Sequence, residues 1–387
     1  MSAGDVRGGT MMNDWRGARF GRIGAMVMAS MALGASAQQE APILAPTVQA
    51  PERTQRAPAE AFEPHHTAAA TALDAAGLAV AAAEIAPAAT TAAANSTTAA
   101  VIDEADERGR RVARCQQFFR LPWGPMSDCR TAIVGSAVGG VLTVGAFQWW
   151  KRGFSSHMTR VNEGWFGRET YAGGVDKLSH VYTFYIGTRV LADTLQWGGA
   201  SKGEALAISA AANAGTSYLI ELFDGYSKKT YGFSREDLVA DAVGILMGSA
   251  VVLWPELDRK FAYRMRYVPK GAGGSANFID SYEGQTYFLS ARFAGFMNLS
   301  PKNPLRYLEL VFGYRGTGFK PRAGVPGVDY ARHERRTYYG IGLNVEEILR
   351  GTLFAANERP TRVQAITEGV LTYVQLPGTV FAKTRAF

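Results

Sequence analysis

The sequence predicts an α+β protein: a small helical bundle of about four helices, followed by an antiparallel β-rich domain. Three observations lead there. The stretches 131–150, 176–195, 203–223 and 236–254 are apolar and of helical length, and the last three are joined by short connections. Ser201 with Glu204, and Ser234 with Asp237, stand before two of them at the spacing of a capping box. After residue 262 the pattern becomes alternating, rich in Tyr, Phe, Val and Leu, with Gly and Pro between the runs.

The chain opens with the three parts of a secretory signal. Arg16, Arg19 and Arg22 form a positive region, residues 23–33 a short apolar core, and Ala35-Ser36-Ala37 a cleavage site. Residues 1–37 are therefore expected to be removed on export. No Cys follows the apolar core, so no lipid-attachment site is expected there. Residues 38–107, rich in Ala, Thr, Pro and Gln, bury too little apolar surface to offset their ordering entropy and read as a disordered linker. Residues 73–85 are a candidate Ala-rich helix within it.

Residues 108–260 read as the helical domain. Its first part, 108–130, is basic and holds both cysteines, Cys115 and Cys129. An exported pair of this kind favours a disulfide over two free thiols, and two cysteines cannot supply a four-ligand zinc site. Gly225 is placed to end the third helix and Pro255 stops the fourth. Segment 131–150 has only Thr, Ser and Gln as polar interruptions and is the best candidate for a membrane span. Arg189 in the second helix, and Ser209, Asn213 and Ser217 in the third, are costly facing lipid, so a bundle packed outside the membrane fits them equally.

Residues 261–387 read as the β-rich domain. Candidate strands are 284–296, 305–315, 335–344 and 369–377, with a short helix within 344–355. Four or five strands fall short of the eight that begin a single-chain outer-membrane barrel. The terminal Phe387 is reminiscent of an outer-membrane strand. Net charge is +7, spread over scattered arginines. No basic-plus-aromatic motif points to nucleic acid, whereas membrane lipid is an expected partner.

Helical spacing gathers the candidate site residues. Asp176, His180, Thr183 and Gly187 share one face, as do Asn213, Ser217 and Glu221, and again Asp237, Asp241, Gly244 and Gly248. Gly244 and Gly248 form a G-x-x-x-G face that permits close backbone approach. Antiparallel neighbours bring the start of the second helix, the end of the third and the start of the fourth to one end. Asp176, His180, Glu221, Asp224, Asp237 and Asp241 converge there, with Lys177, Lys228 and Lys229 nearby. A crowd of carboxylates around one imidazole suits a divalent cation, with His180, Glu221, Asp237 and Asp241 as ligands. It equally suits acid–base work by His180 with Asp176, Glu221 or Asp241, or a polar network that fixes helix packing. Simpler roles are open for each: Asp176 and Asp237 as helix-start residues, Asp224 as turn chemistry before Gly225. No G-x-S-x-G, H-E-x-x-H or P-loop motif is present.

Asp176-Lys177-Leu178-Ser179-His180 matches D-K-x-x-H, followed by Glu221 and by Asp237-Leu238-x-x-Asp241-x-x-Gly244. In this the chain resembles the uncharacterised family of predicted periplasmic lipoproteins typified by YfiM, and the VanZ-like membrane proteins, over about residues 170–250. The resemblance implies an envelope role without an assigned reaction. Two departures stand out: the missing lipoprotein Cys, and Asp241 where the VanZ-like pattern often has Asn. Three readings remain open: an accessory or structural envelope protein, a membrane-proximal metal-dependent hydrolase or transferase of lipid or cell-wall precursors, and a lipid- or ligand-binding module using the β domain.

Overall fold

The computed structural model describes residues 90–121, 124–125, 128–228, 232–268, 282–297, 299–300, 302–319, 333–357 and 359–387. The signal segment 1–37, most of the linker and the 73–85 helix candidate lie outside them. Residues 37–104 and the chain from Ala105 onward fall into separate units. The described part of the first is helical.

Helix α1 (Thr90–Phe118) therefore occupies the last part of the segment expected to be a linker. Local charge pairing supports it: Glu107 meets Arg110, Arg111 and Arg114, three, four and seven positions on. A short antiparallel pair, β1 (Arg120–Leu121) and β2 (Gly124–Pro125), turns the chain into α2 (Cys129–Gln148). Asp128 caps α2 by accepting from the Arg130 amide at 3.0 Å. Cys115 and Cys129 form a disulfide and are buried with Ile133, Leu191, Leu195 and Trp197. Among the described residues α2 is the one helix long and apolar enough to cross a membrane, and 17% of its apolar window is buried.

Strand β3 (Arg160–Val161) pairs in parallel with β4 (Phe233–Ser234), which fixes the following loop beside a helix start far along the chain. A tight turn, Tyr171–Gly174, then feeds α3. Ala172, Gly173 and Gly174 all take positive φ there. A Cβ on Gly174 would collide with Phe166 and lie 2.7 Å from the Trp165 carbonyl oxygen, so glycine is required on two counts.

Helices α3 (Val175–Trp197), α4 (Lys202–Tyr226) and α5 (Arg235–Leu253) follow. The capping box of Ser201 and Glu204 is formed, and Ser234 caps α5 by accepting from the Asp237 amide. Gly225 does not end α4, which runs on to Tyr226. Its bare Cα instead admits Phe233 and Met158, whose atoms would lie 3.1–3.3 Å from a Cβ. Gly244 and Gly248 bring α5 against the backbone of α3: added methyls would strike the Val181 and Tyr185 carbonyl oxygens. Arg189, within α3, bonds Asp258 at 2.9 Å and stacks on Tyr185 and Tyr373.

After α6 (Pro255–Lys260) comes a five-stranded antiparallel meander in the order β5 (Phe261–Tyr267), β6 (Gln285–Arg292), β7 (Leu308–Thr317), β8 (Glu334–Leu343) and β9 (Val380–Ala386). Tyr263, Tyr287 and Tyr314 pack against Val175, Tyr182 and Tyr185, which seats the first turns of α3 on the sheet. Four-residue α7 (Phe293–Phe296) cuts the expected 284–296 strand short, and α8 (Val345–Gly351) lies where a short helix was expected.

The expected strand 369–377 is overturned: most of it belongs to α9 (Arg362–Tyr373). Thr361 caps that helix, and Gln364 bonds Glu368 one turn on, so a helical face of polar residues outweighs the apolar run. Only beyond it does the chain turn strand-like, where Val374 bridges Met265. Strands β5 and β9, absent from the expected set, complete the two sides of the sheet.

Candidate functional site

The first turns of α3 and α5 and the last turns of α4 meet beneath the β3–β4 pairing, and their polar residues form one cluster. Lys177 is its centre. This lysine is 1% exposed, and its ammonium donates to Asp176 Oδ2 at 2.7 Å, Asp237 Oδ1 at 2.5 Å and Glu163 Oε2 at 2.7 Å. The three bonds use all three N–H groups of the ammonium.

His180 lies one turn further along α3. Its Nδ1 is 2.8 Å from Asp241 Oδ1, and its Nε2 is 3.5 Å from Asp237 Oδ1 and 3.8 Å from Asp176 Oδ1. Its side chain keeps 22% of its exposure, whereas the carboxylates around it are buried. Asp241 is held from its other side by Ser217, whose hydroxyl donates to Oδ2 at 2.6 Å. Glu221 accepts the Ser234 amide at 2.8 Å, tying the end of α4 to the cap of α5.

Crowding of like charges in a buried place sets the proton affinities. Burial, opposed mainly by Lys177 and His180, is overcome at Asp176, whose carboxyl is held down to about 2. At Glu221 burial prevails, reinforced by the Asp237 charge, and the carboxyl is pushed up to about 9. Glu163 is raised to about 7 by burial and by Asp176 and Asp237. Burial also raises Asp237. Burial works against the charged form of His180, yet Asp237 and Asp241 raise its affinity well above the ordinary histidine value. At neutral pH the cluster thus holds an imidazolium and an ammonium beside an ionised Asp176, with Glu163 near half-protonation and Glu221 neutral.

Of the residues singled out by sequence, Asp176, Lys177, His180, Glu221, Asp237 and Asp241 are brought together. Asp224 Oδ1 accepts from Trp150 Nε1 at 2.6 Å and serves the packing of the chain after α2. Lys228 is exposed, and Lys229 lies outside the described residues. Gly244 and Gly248 shape the α3–α5 contact, while Cys115 and Cys129 lie with the opposite end of α3. Glu163 escaped the sequence reading. It comes from a loop without periodicity, and only the long-range β3–β4 pairing brings it to Lys177.

Among the described residues, one group has ligand atoms within 4.8 Å of one another: Asp176, His180 and Asp237. The Lys177 ammonium already bridges the two aspartates of that group, so a divalent ion there would sit against an existing cation. The remaining candidate ligands are engaged: Asp241 by His180 and Ser217, Glu221 by the Ser234 amide. Ser217 directs its proton to Asp241 and not to the imidazole, which is not the arrangement of an activated serine.

Residues 162–253 match the family described as "Predicted periplasmic lipoprotein (DUF2279)". The matched stretch contains every residue of the cluster and stops before the sheet. No curated protein and no solved structure matches the chain. The family description agrees with the exported, periplasmic location expected from the N-terminal sequence, and with the membrane association expected from the basic charge and the apolar helices.

Proposed function

We propose that the chain is an accessory, structural protein of the cell envelope, in which the Lys177–His180–carboxylate cluster locks three helices and a loop into one arrangement. The observation that carries this reading is the Lys177 ammonium, buried and bonded to three carboxylates from α3, α5 and the Glu163 loop. A buried cation with all its donors engaged favours one packing over its competitors, because any other arrangement leaves charges unpaired. His180 and Ser217 extend the lock through Asp241 to α4. The D-K-x-x-H signature, on this view, is a packing code.

The experiment is equilibrium unfolding of His180→Ala and Asp241→Asn beside an assay of envelope integrity in cells producing each variant. A loss of about 1–3 kcal/mol is expected for each, with integrity declining in proportion. A variant that keeps its stability while integrity fails would count against a structural role.

A second reading has one observation in its favour. The Asp176, His180 and Asp237 ligand atoms are close enough to share an ion. On that reading the protein is a membrane-proximal hydrolase or transferase of lipid or cell-wall precursors, and the metal supplies an activated water. It requires the Lys177 ammonium to move away or lose its proton.

A further inference from the structure

The five-stranded sheet leaves part of its apolar, α3-packing face uncovered. Along β7, Glu309 and Val311 are buried while Leu310 and Phe312 are 52% and 55% exposed. The strand register extends this across the sheet. Leu289, Phe312 and Tyr339 are cross-strand partners on one face, and so are Leu310, Ile341 and Phe381. All six are exposed, while Tyr263, Tyr287 and Tyr314 lie on the same face and are buried against α3, so the exposed row is the part of that face beyond the helix. The opposite face carries Arg264, Ser290, Arg292 and Glu309, and all four are buried. Sheets that meet water on one side expose their polar face. Here the charges are hidden and the apolar face is left open where α3 does not reach, so a row of apolar side chains is available to meet lipid.

Charge singles out the occupant. Lys383 pairs with Tyr339 and Arg385 with Thr337, so both cations border the apolar row on its own face, and both are exposed. The acidic residues of the five strands are Glu309 and Glu334. They are cross-strand partners of Gly342 and Thr317 and lie on the opposite face. The exposed face therefore offers apolar side chains and cations with no acid. Self-pairing of this face between two copies would bring together only like charges. An anionic membrane surface supplies both an apolar interior and opposite charge.

We propose that the uncovered part of this face docks on an anionic phospholipid surface. The six apolar side chains enter the boundary between headgroups and acyl chains, and Lys383 and Arg385 meet phosphates. The contact lies wholly outside the matched family region 162–253 and needs no covalent lipid. It is independent of the Lys177 cluster and goes beyond the accessory role proposed above.

The test is sedimentation of the full chain with vesicles of phosphatidylcholine alone and with equal parts phosphatidylglycerol. Leu310→Asn/Phe312→Asn/Phe381→Asn and Lys383→Gln/Arg385→Gln are measured beside it. All five positions are exposed, and circular dichroism confirms that each variant keeps the parental melt. The parent is expected to prefer anionic vesicles, the triple variant to lose affinity by about tenfold or more, and the double variant to lose the preference. The apolar helix α2 is common to all three chains, so it cannot produce these differences. Parental binding by both variants would overturn the proposal. So would a parent dimer that the triple variant converts to monomer with vesicle binding unchanged, which would make this face a self-interface.

Discussion

In the sheet, Arg264 and Glu309 are buried as a one-to-one pair at 2.7 Å, with Gln375 accepting from the guanidinium and Ser290 donating to the carboxylate. At the start of α3, two cations face five carboxylates: Lys177 and His180 against Glu163, Asp176, Glu221, Asp237 and Asp241. Both regions bury their carboxylates, yet in the second the carboxylates outnumber the cations. Its surplus of negative charge is absorbed by protons, with Glu221 pushed up to about 9 and Glu163 to about 7. The sheet pair is a closed unit whose members serve each other. In the helical cluster each charge serves several partners, so its removal is felt on three elements at once. A pair is exchanged for apolar residues by two substitutions, whereas removing the shared centre of a network strands every partner that is not replaced with it.

The largest expected effect breaks that contrast directly. Lys177→Met should cost about 3–5 kcal/mol, because it strands three buried carboxylates, and neutralising any one of them should not restore stability. Arg264→Met alone should cost a similar amount, whereas Arg264→Met/Glu309→Leu should recover most of the loss. Urea unfolding of the four proteins, including Lys177→Met/Asp237→Asn, measures both halves of the comparison.

Reduction of the Cys115–Cys129 disulfide should cost about 3 kcal/mol through the unfolded state, and it should leave the cluster's titration unchanged because the bond lies with the far end of α3. Gly244→Ala should lose about 1–3 kcal/mol by forcing α5 away from the α3 backbone. Gly215→Ala, in open space on α4, should gain about 0.4–1 kcal/mol. Thermal melts of the two glycine variants separate close packing from helix propensity.

The smallest effect sharpens the protonation account. Glu221 holds its proton in the folded state up to about pH 9 but loses it near 4.5 when unfolded. Its contribution is therefore fully present below about pH 4.5 and is lost as pH rises toward 9. Glu163 acts in the same sense up to about pH 7, and the raised His180 affinity adds to the loss above its unfolded value near 6.5. Asp176, held down to about 2, works the other way, and its contribution is lost as pH falls from 3.8. Glu221→Gln keeps an acceptor for the Ser234 amide. It should show a shallower decline of unfolding free energy between pH 5 and 9, measured by denaturant titration across that range.

Much of the cluster was legible in the sequence because its members lie on helices. Asp176 and His180, Ser217 and Glu221, and Asp237 and Asp241 are each one turn apart, so periodicity aligns them and short connections bring the helix ends together. The glycine face of Gly244 and Gly248 was legible for the same reason. Glu163 was not, because a loop residue is placed by tertiary pairing that leaves no period. Lys177 was visible beside the site, but its place at the centre follows from the turn of Ala172, Gly173 and Gly174, whose left-handed backbone buries the first turn of α3. In the sheet, the shift to alternation announced β6, β7 and β8. The 369–377 run misled because its apolar residues suit a strand, while the cap and polar face that make α9 lie upstream at Thr361, Gln364 and Glu368. Strand β9 was hidden by Lys383 and Arg385, which dilute its apolar alternation.

The central claim is that the cluster is held by its own ammonium and imidazolium and not by a metal. Elemental analysis of the chain purified without chelators, beside His180→Ala and Lys177→Met, tests it most directly. Substoichiometric metal in all three and a lower unfolding midpoint in both variants are expected. One divalent ion per parent chain, absent from folded His180→Ala, would contradict it and make Asp176, His180 and Asp237 a metal site.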